Sequence, residues 1–247
     1  MSGKRIEIFI PARKKLQIDS RTSLRYDQSM DKLPYLLIYF VPFVFSLSFH
    51  EAAHAWMANR RGDPTARSLG RLTLNPLAHI DPIGTLLFPL LSFFTGAPLI
   101  GWAKPVPVNE SNLKHWRKDS MLVAAAGPIS NLILALGFTG MVYLLNRFSV
   151  QETGFRAGFT FTEPLMIMAI QGIQLNLILA LFNFLPLPPL DGGRVAMGLF
   201  PQLGRQFALL ERYGFIVIYL LLFTGILHTV VFGPTHFLFR VLLDLAG

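Results

Sequence analysis

Apolar residues in this chain fall in long unbroken blocks, not in the short alternations that mark soluble strands and amphipathic helices. Residues 33–58 carry one formal charge, Glu51, and residues 120–146, 164–190 and 213–239 carry none. A helix needs about 20 apolar residues to cross a bilayer, so each block predicts a transmembrane helix. A fifth block, 82–103, is interrupted by Pro89, Gly96, Pro98 and Gly101. It predicts a short hydrophobic segment that dips in and returns. The expected architecture is an all-α polytopic membrane protein: four full transmembrane helices, one re-entrant segment and a short C-terminal helix. Residues 33–247 form the membrane-embedded domain, and residues 1–32 a polar basic tail before it.

Composition agrees with the pattern. The chain has 247 residues, 52% hydrophobic and only 15% charged, against about 25% charged in an average soluble domain. The net charge of +8 would suit a nucleic-acid partner if the basic residues formed one patch. They are scattered in short loops between apolar blocks, where membrane proteins carry them to fix orientation. The expected partner is therefore the lipid bilayer, with no nucleic acid. Residues 1–32 mix eight basic with four acidic residues and contain no apolar core of a signal peptide. There is no cysteine. That excludes disulfides, thiolate metal sites and a cysteine nucleophile, so any metal must be held by His and carboxylate.

The first apolar block ends in Phe49-His50-Glu51-Ala52-Ala53-His54. Two His four residues apart project from one helix face and can share a cation. The Glu beside the first His is then placed to take a proton from water held near the ion. Two imidazoles and a carboxylate in an apolar span are costly to insert, at up to about 3 kcal/mol for a central charge. Packing alone is a poor reason to keep them. Zinc of this kind takes three protein ligands, and a third must come from elsewhere. His79 and His115 lie in polar loops. Asp191 follows Pro186, Pro188 and Pro189 and precedes Gly192 and Gly193, a sequence that also reads as an ordinary turn. Asn131 lies one turn after Gly127 and Pro128. It reads either as a polar tie between helices or as a group that holds a substrate carbonyl or its oxyanion.

Together, His-Glu-x-x-His in one span, Gly127-Pro128-x-x-Asn131 in the next and Asn183-x-x-Pro186-x-Pro188-x-Leu190-Asp191-Gly192-Gly193 resemble the site-2 protease family, peptidase family M50. The resemblance runs from about residue 33 to the C-terminus and implies a zinc-dependent metalloendopeptidase that cuts transmembrane protein substrates in regulated intramembrane proteolysis. It implies one Zn²⁺ per chain held by His50, His54 and Asp191, with Glu51 as general base and Asn131 as a catalytic and substrate-binding group. Neither a PDZ nor a CBS domain is evident, as in short members of the family. The segment 101–109, with Val106 and Val108, resembles the family's re-entrant β-loop, which offers an edge to an unwound substrate. Two rival readings are a membrane metal-ion transporter, since intramembrane His and Asp also line ion paths, and an inactive family member. A base beside the first ligand favours hydrolysis.

Depth constrains topology. His50 and His54 lie near the end of the first span, Asp191 beyond the end of the third block, and Asn131 near the start of the second. These groups meet only if the first and third blocks run one way, the second runs the other way, and 82–103 does not cross. Most loop Lys and Arg then fall on the active-site side, which predicts a multi-pass cell-membrane protein opening towards the cytosol. The basic residues of the tail run against that rule.

Overall fold

In a computed structural model the described residues are 6–9 and 15–18 (backbone), 32–95, 101–149, 162–203 and most of 210–247. Within the polar tail, β1 (Ile6–Phe9) and β2 (Lys15–Ile18) form a two-stranded antiparallel ribbon. Its register pairs Ile6 with Ile18 and Ile8 with Leu16. All other regular structure among the described residues is helical. It comprises α1 (Lys32–Arg61), α2 (Thr65–Ser68), α3 (Phe88–Thr95), α4 (Trp116–Ser149), α5 (Thr162–Asn183), α6 (Asp191–Leu199) and α7 (Gly233–Ala246). A π-helical turn leads into α3 (Pro82–Leu87), and another leads into α7 (His228–Phe232).

Four helices among the described residues are long and apolar enough to cross a membrane: Leu36–Arg61, Trp116–Arg147, Thr162–Asn183 and His228–Ala246. The chain is a multi-pass membrane protein. The fourth span differs from the block expected at 213–239. Gly225 adopts φ +73°, a left-handed conformation that ends helices and that glycine adopts without steric cost. It falls inside the expected block, and the long helix starts only at His228. Hydropathy ran smoothly across a break that one glycine makes. The short helix expected at the C-terminus is present as α7.

Because lipid is as apolar as leucine, the bundle is held by close packing and buried polar ties. Ala135 and Val142 of α4 pack with Ala169, Ile170, Ile173 and Leu177 of α5 and with Phe239, Leu242 and Leu243 of α7. Gly172 lets α5 come close to α4, since a Cβ there would lie 2.7 Å from the ring of Phe138. Asn146 near the end of α4 donates to the Ala246 carbonyl at 3.1 Å, so α7 ends beside the end of α4.

The segment from 82 returns to its start. Asp81 accepts hydrogen bonds from the Ile83 and Gly84 amides and so caps the entering turn. On the way back, the Trp102 amide donates to the Gly84 carbonyl at 3.1 Å, and the Lys104 amide to the His79 carbonyl at 2.9 Å. A Cβ on Gly84 would stand 2.4 Å from the Trp102 indole. Residues 84 and 102 therefore lie side by side, so the chain is back at its starting depth by Trp102. From there 101–109 runs extended along the end of α1 without pairing as a strand.

Candidate metal centre

Four elements meet at the last third of α1. His50 and His54 sit one turn apart on its buried face, and α4 crosses that face at Gly127. A Cβ on Gly127 would lie 2.4 Å from His54 Nε2 and 2.6 Å from His50 Cε1, so only a residue without a side chain allows this approach. Asp191 arrives from the opposite direction as the first residue of α6. Its placement depends on the two glycines that follow. A Cβ on Gly192 would meet the Leu185 carbonyl at 2.2 Å and one on Gly193 the Pro188 nitrogen at 2.6 Å. The start of α6 is therefore folded tightly against the proline-rich loop, which aims Asp191 back at the histidines.

The result is a compact triangle. His50 Nε2 and His54 Nε2 are 3.0 Å apart, and Asp191 Oδ2 lies 3.1 Å from the first and 3.3 Å from the second. Both histidines are buried and the Asp191 side chain is 14% exposed. The second ring nitrogens explain why these three atoms face one another. His50 Nδ1 lies 2.6 Å from Asn131 Oδ1, and His54 Nδ1 lies 2.7 Å from the Val123 carbonyl. Both partners are acceptors, so each Nδ1 carries the proton and each neutral ring turns a bare Nε2 lone pair inward. Two lone pairs and a carboxylate oxygen within hydrogen-bond distance repel unless something positive lies among them.

The donor set fits Zn²⁺. It offers two imidazole nitrogens and one carboxylate oxygen, the ligand count of a catalytic zinc site with one position left open. Tetrahedral zinc with bonds of 2.0–2.1 Å has ligand–ligand edges of about 3.3 Å, close to the three edges found here. Each imidazole is fixed from behind by an acceptor, the arrangement that sets tautomer and ring orientation in zinc proteins.

Glu51 points away from the triangle's back wall and is held differently. Its Oε2 accepts the Val106 amide at 2.7 Å, which ties the end of α1 to the returning segment. That segment is anchored twice more. Arg71 Nη2 donates to the Lys104 carbonyl at 2.6 Å. Asp63 Oδ2 accepts the Asn109 amide at 2.7 Å, and its Oδ1 accepts from Asn112 Nδ2 at 2.9 Å and from Thr65. Burial raises the Asp63 carboxyl, but the hydrogen bonds from Asn109, Asn112 and both the hydroxyl and the amide of Thr65 together pull it below its ordinary value.

Several expectations change in this light. Asn131 is fully buried, its Oδ1 is taken by His50, and its Nδ2 donates to Asn176 and Ser46. Its amide is thus engaged on both sides, with Oδ1 towards His50 and Nδ2 towards Asn176 and Ser46. Val106 spends its amide on Glu51, and the Val108 side chain packs against Ala58, Leu113 and Val123. His79 is outside the triangle, with Nε2 2.9 Å from the Thr73 carbonyl. Asn176, Ser46 and the Val123 carbonyl were not singled out from sequence, and Gly127 was named only as part of a motif. Asn176 left a signal, a lone amide in an uncharged span.

A histidine pair and a distant carboxylate converging at one end of a membrane bundle, with a glutamate beside the first histidine, is the constellation of a metallohydrolase. The sequence model of peptidase family M50 matches residues 38–226. The chain is 43% identical over 208 residues, 82% of its length and 85% of the relative's, to the Bacillus subtilis (strain 168) protein named "Putative zinc metalloprotease YwhC". It is 30% identical over 199 residues, 79% of its length and 70% of the relative's, to "Putative zinc metalloprotease Rip2" of Mycolicibacterium smegmatis. No solved structure matches it. The chain belongs to peptidase family M50, a family of metallopeptidases.

Proposed function

We propose that this protein is an intramembrane zinc metallopeptidase of the site-2 protease type, hydrolysing peptide bonds of transmembrane protein substrates at the cytosolic end of its bundle. The observation that carries this reading is the inward-facing triangle of His50, His54 and Asp191, 3.0–3.3 Å on a side, with Glu51 next to the first histidine. These three residues would hold Zn²⁺, which when bound supplies Lewis-acid polarisation of water and of the scissile carbonyl. Glu51 accepts the proton of the attacking water and returns it to the leaving amine. The Val106 amide, on Oε2, fixes the carboxylate's orientation while the other oxygen serves the proton. His50 and His54 are kept in the ligating tautomer by Asn131 and the Val123 carbonyl. No covalent intermediate forms. Residues 33–247 act as one membrane-embedded catalytic domain, and the extended segment 101–109 forms the wall along which an unwound substrate lies.

Glu51→Gln tests the chemistry, because it removes the base and spares every ligand. The purified variant should retain zinc and lose all proteolysis of a transmembrane substrate. Zinc transport by that variant, with no proteolysis by wild type, would turn the assignment to a transporter. Orientation is tested on the cysteine-free background. Single cysteines replacing Arg67 and Asn109 should both be labelled from the cytosol, and one at Gly154 from the other side. Labelling of Asn109 together with Gly154 would reject the returning segment.

A further inference from the structure

We propose that Asn176, in the middle of α5, is a positioning residue that locks the tautomer of His50 through Asn131. The proposal rests on His50 being a zinc ligand through Nε2. An asparagine amide is nearly symmetric in shape but not in polarity, and in an apolar bundle nothing nonspecific chooses which end faces a neighbour. Asn131 lies between two partners that must be told apart. Were its amide turned over, an NH₂ would face His50 Nδ1. The ring would then keep its proton on Nε2, which could no longer ligate.

The hydrogen bonds fix the sense of the chain from a group that cannot flip. The Gly172 backbone carbonyl accepts from Asn176 Nδ2 at 2.8 Å. The same Nδ2 donates to Ser46 Oγ at 2.8 Å. With both of its hydrogens used, Asn176 can present only Oδ1 to α4. There it accepts from Asn131 Nδ2 at 2.8 Å, so Asn131 must present Oδ1 to His50. The Ser46 carbonyl, 3.4 Å from Asn131 Nδ2, favours the same orientation. Both amides are fully buried, so water offers neither an alternative partner. Polarity passes from a helix carbonyl of α5 through two amides to the imidazole, and the inward lone pair of His50 is its last consequence.

The full-length protein, purified in detergent, carries the test, with Zn²⁺ affinity read by chelator competition. Asn176→Leu should weaken zinc binding by about 10–100-fold, the range for loss of an outer partner of a metal ligand. Thr139→Val, which removes a buried hydroxyl elsewhere in α4, should leave it unchanged. The deciding step is Asn131→Asp. A carboxylate accepts from His50 whichever way it turns, so in that background Asn176→Leu should cost nothing further. If Asn176→Leu does not fold, Asn176→Ser is used in its place, since its hydroxyl is too short to reach Asn131. Wild-type affinity in the Leu or Ser variant would overturn the lock. So would a loss that persists in full in the Asn131→Asp background, which would mark Asn176 as a packing residue only. A wild-type protein that takes up no zinc at all would instead overturn the metal site on which the lock depends.

Discussion

The two histidine ligands and the base sit side by side on α1 yet are held by opposite means. His50 and His54 are positioned from inside the bundle, by the Asn131 side chain and the Val123 carbonyl of α4, with α4 brought to contact distance at Gly127. Glu51 is positioned from outside it, by the backbone of a returning segment that Arg71 and Asp63 pin down. The first arrangement is dry, and its polar bonds have no competing water. The second lies at the polar end of the bundle, where Lys104, Pro105 and Asn109 are exposed. Metal affinity and proton transfer should therefore fail separately. Changes within the helices should remove zinc, while changes in the loop should leave zinc bound and slow the chemistry.

The sharpest break should come at Gly127. Gly127→Ala places a Cβ about where His54 Nε2 and His50 Cε1 already stand, at 2.4 and 2.6 Å, and the clash is with ligand atoms in a packed interior that yields little. Zinc should fall below detection in metal analysis of the purified variant, and proteolysis should disappear with it. Normal zinc content would show that α4 can back away without cost and that the inner support is looser than these contacts require.

The same contrast explains what could be read from the sequence. His50, Glu51 and His54 were legible because their relation is local, fixed by one turn of helix. Asp191 was only one candidate among several until the family resemblance singled it out, since its approach depends on glycine contacts with a loop that no spacing encodes. The returning segment was legible from its prolines and from the depth at which the motifs must meet. The partners of the histidines were not. One is a backbone carbonyl, to which any residue at 123 contributes equally. The other, Asn131, was noticed as either a polar tie or a substrate group, but the sequence does not show that its partners are His50, Asn176 and Ser46. Among the described residues the long fourth helix begins at His228, after a turn at Gly225 that hydropathy averages away.

A milder effect, on the other side of the comparison, is expected at Arg71. Its guanidinium bridges to the Lys104 carbonyl just before the residue that holds Glu51. Losing a hydrogen bond from a charged donor costs about 1.5–3 kcal/mol, shared here between the loop and the base it positions. Arg71→Ala should lower kcat roughly tenfold at unchanged zinc content, measured as single-turnover cleavage alongside metal analysis. Loss of zinc in this variant would mean that loop and ligands are one unit after all.

The smallest effect, and the one that depends on solvent, belongs to Asp63. Its carboxyl is lowered from 3.8 because Thr65, Asn112 and Asn109 all donate to the ionised form. The sign follows from linkage. A group whose pKa is depressed in the folded protein contributes stability that is fully present above its ordinary value, and that is lost as pH falls through the depressed one. The anchor should therefore be indifferent to pH from neutral down to about 4 and should loosen only in stronger acid. Limited proteolysis reads this directly. Pepsin cleavage within 101–114 should be absent from the folded protein near pH 4 and should appear as pH is lowered further. Asp63→Asn keeps one oxygen but turns an NH₂ towards one of the donors it served, so the segment should be loosened already at neutral pH. Trypsin should then cut after the exposed Lys114 several-fold faster than in wild type, with zinc retained. Tryptic cleavage no faster than in wild type would mean that Arg71 and the Val106–Glu51 bond hold the segment without Asp63, and that the outer support is more redundant than the inner one.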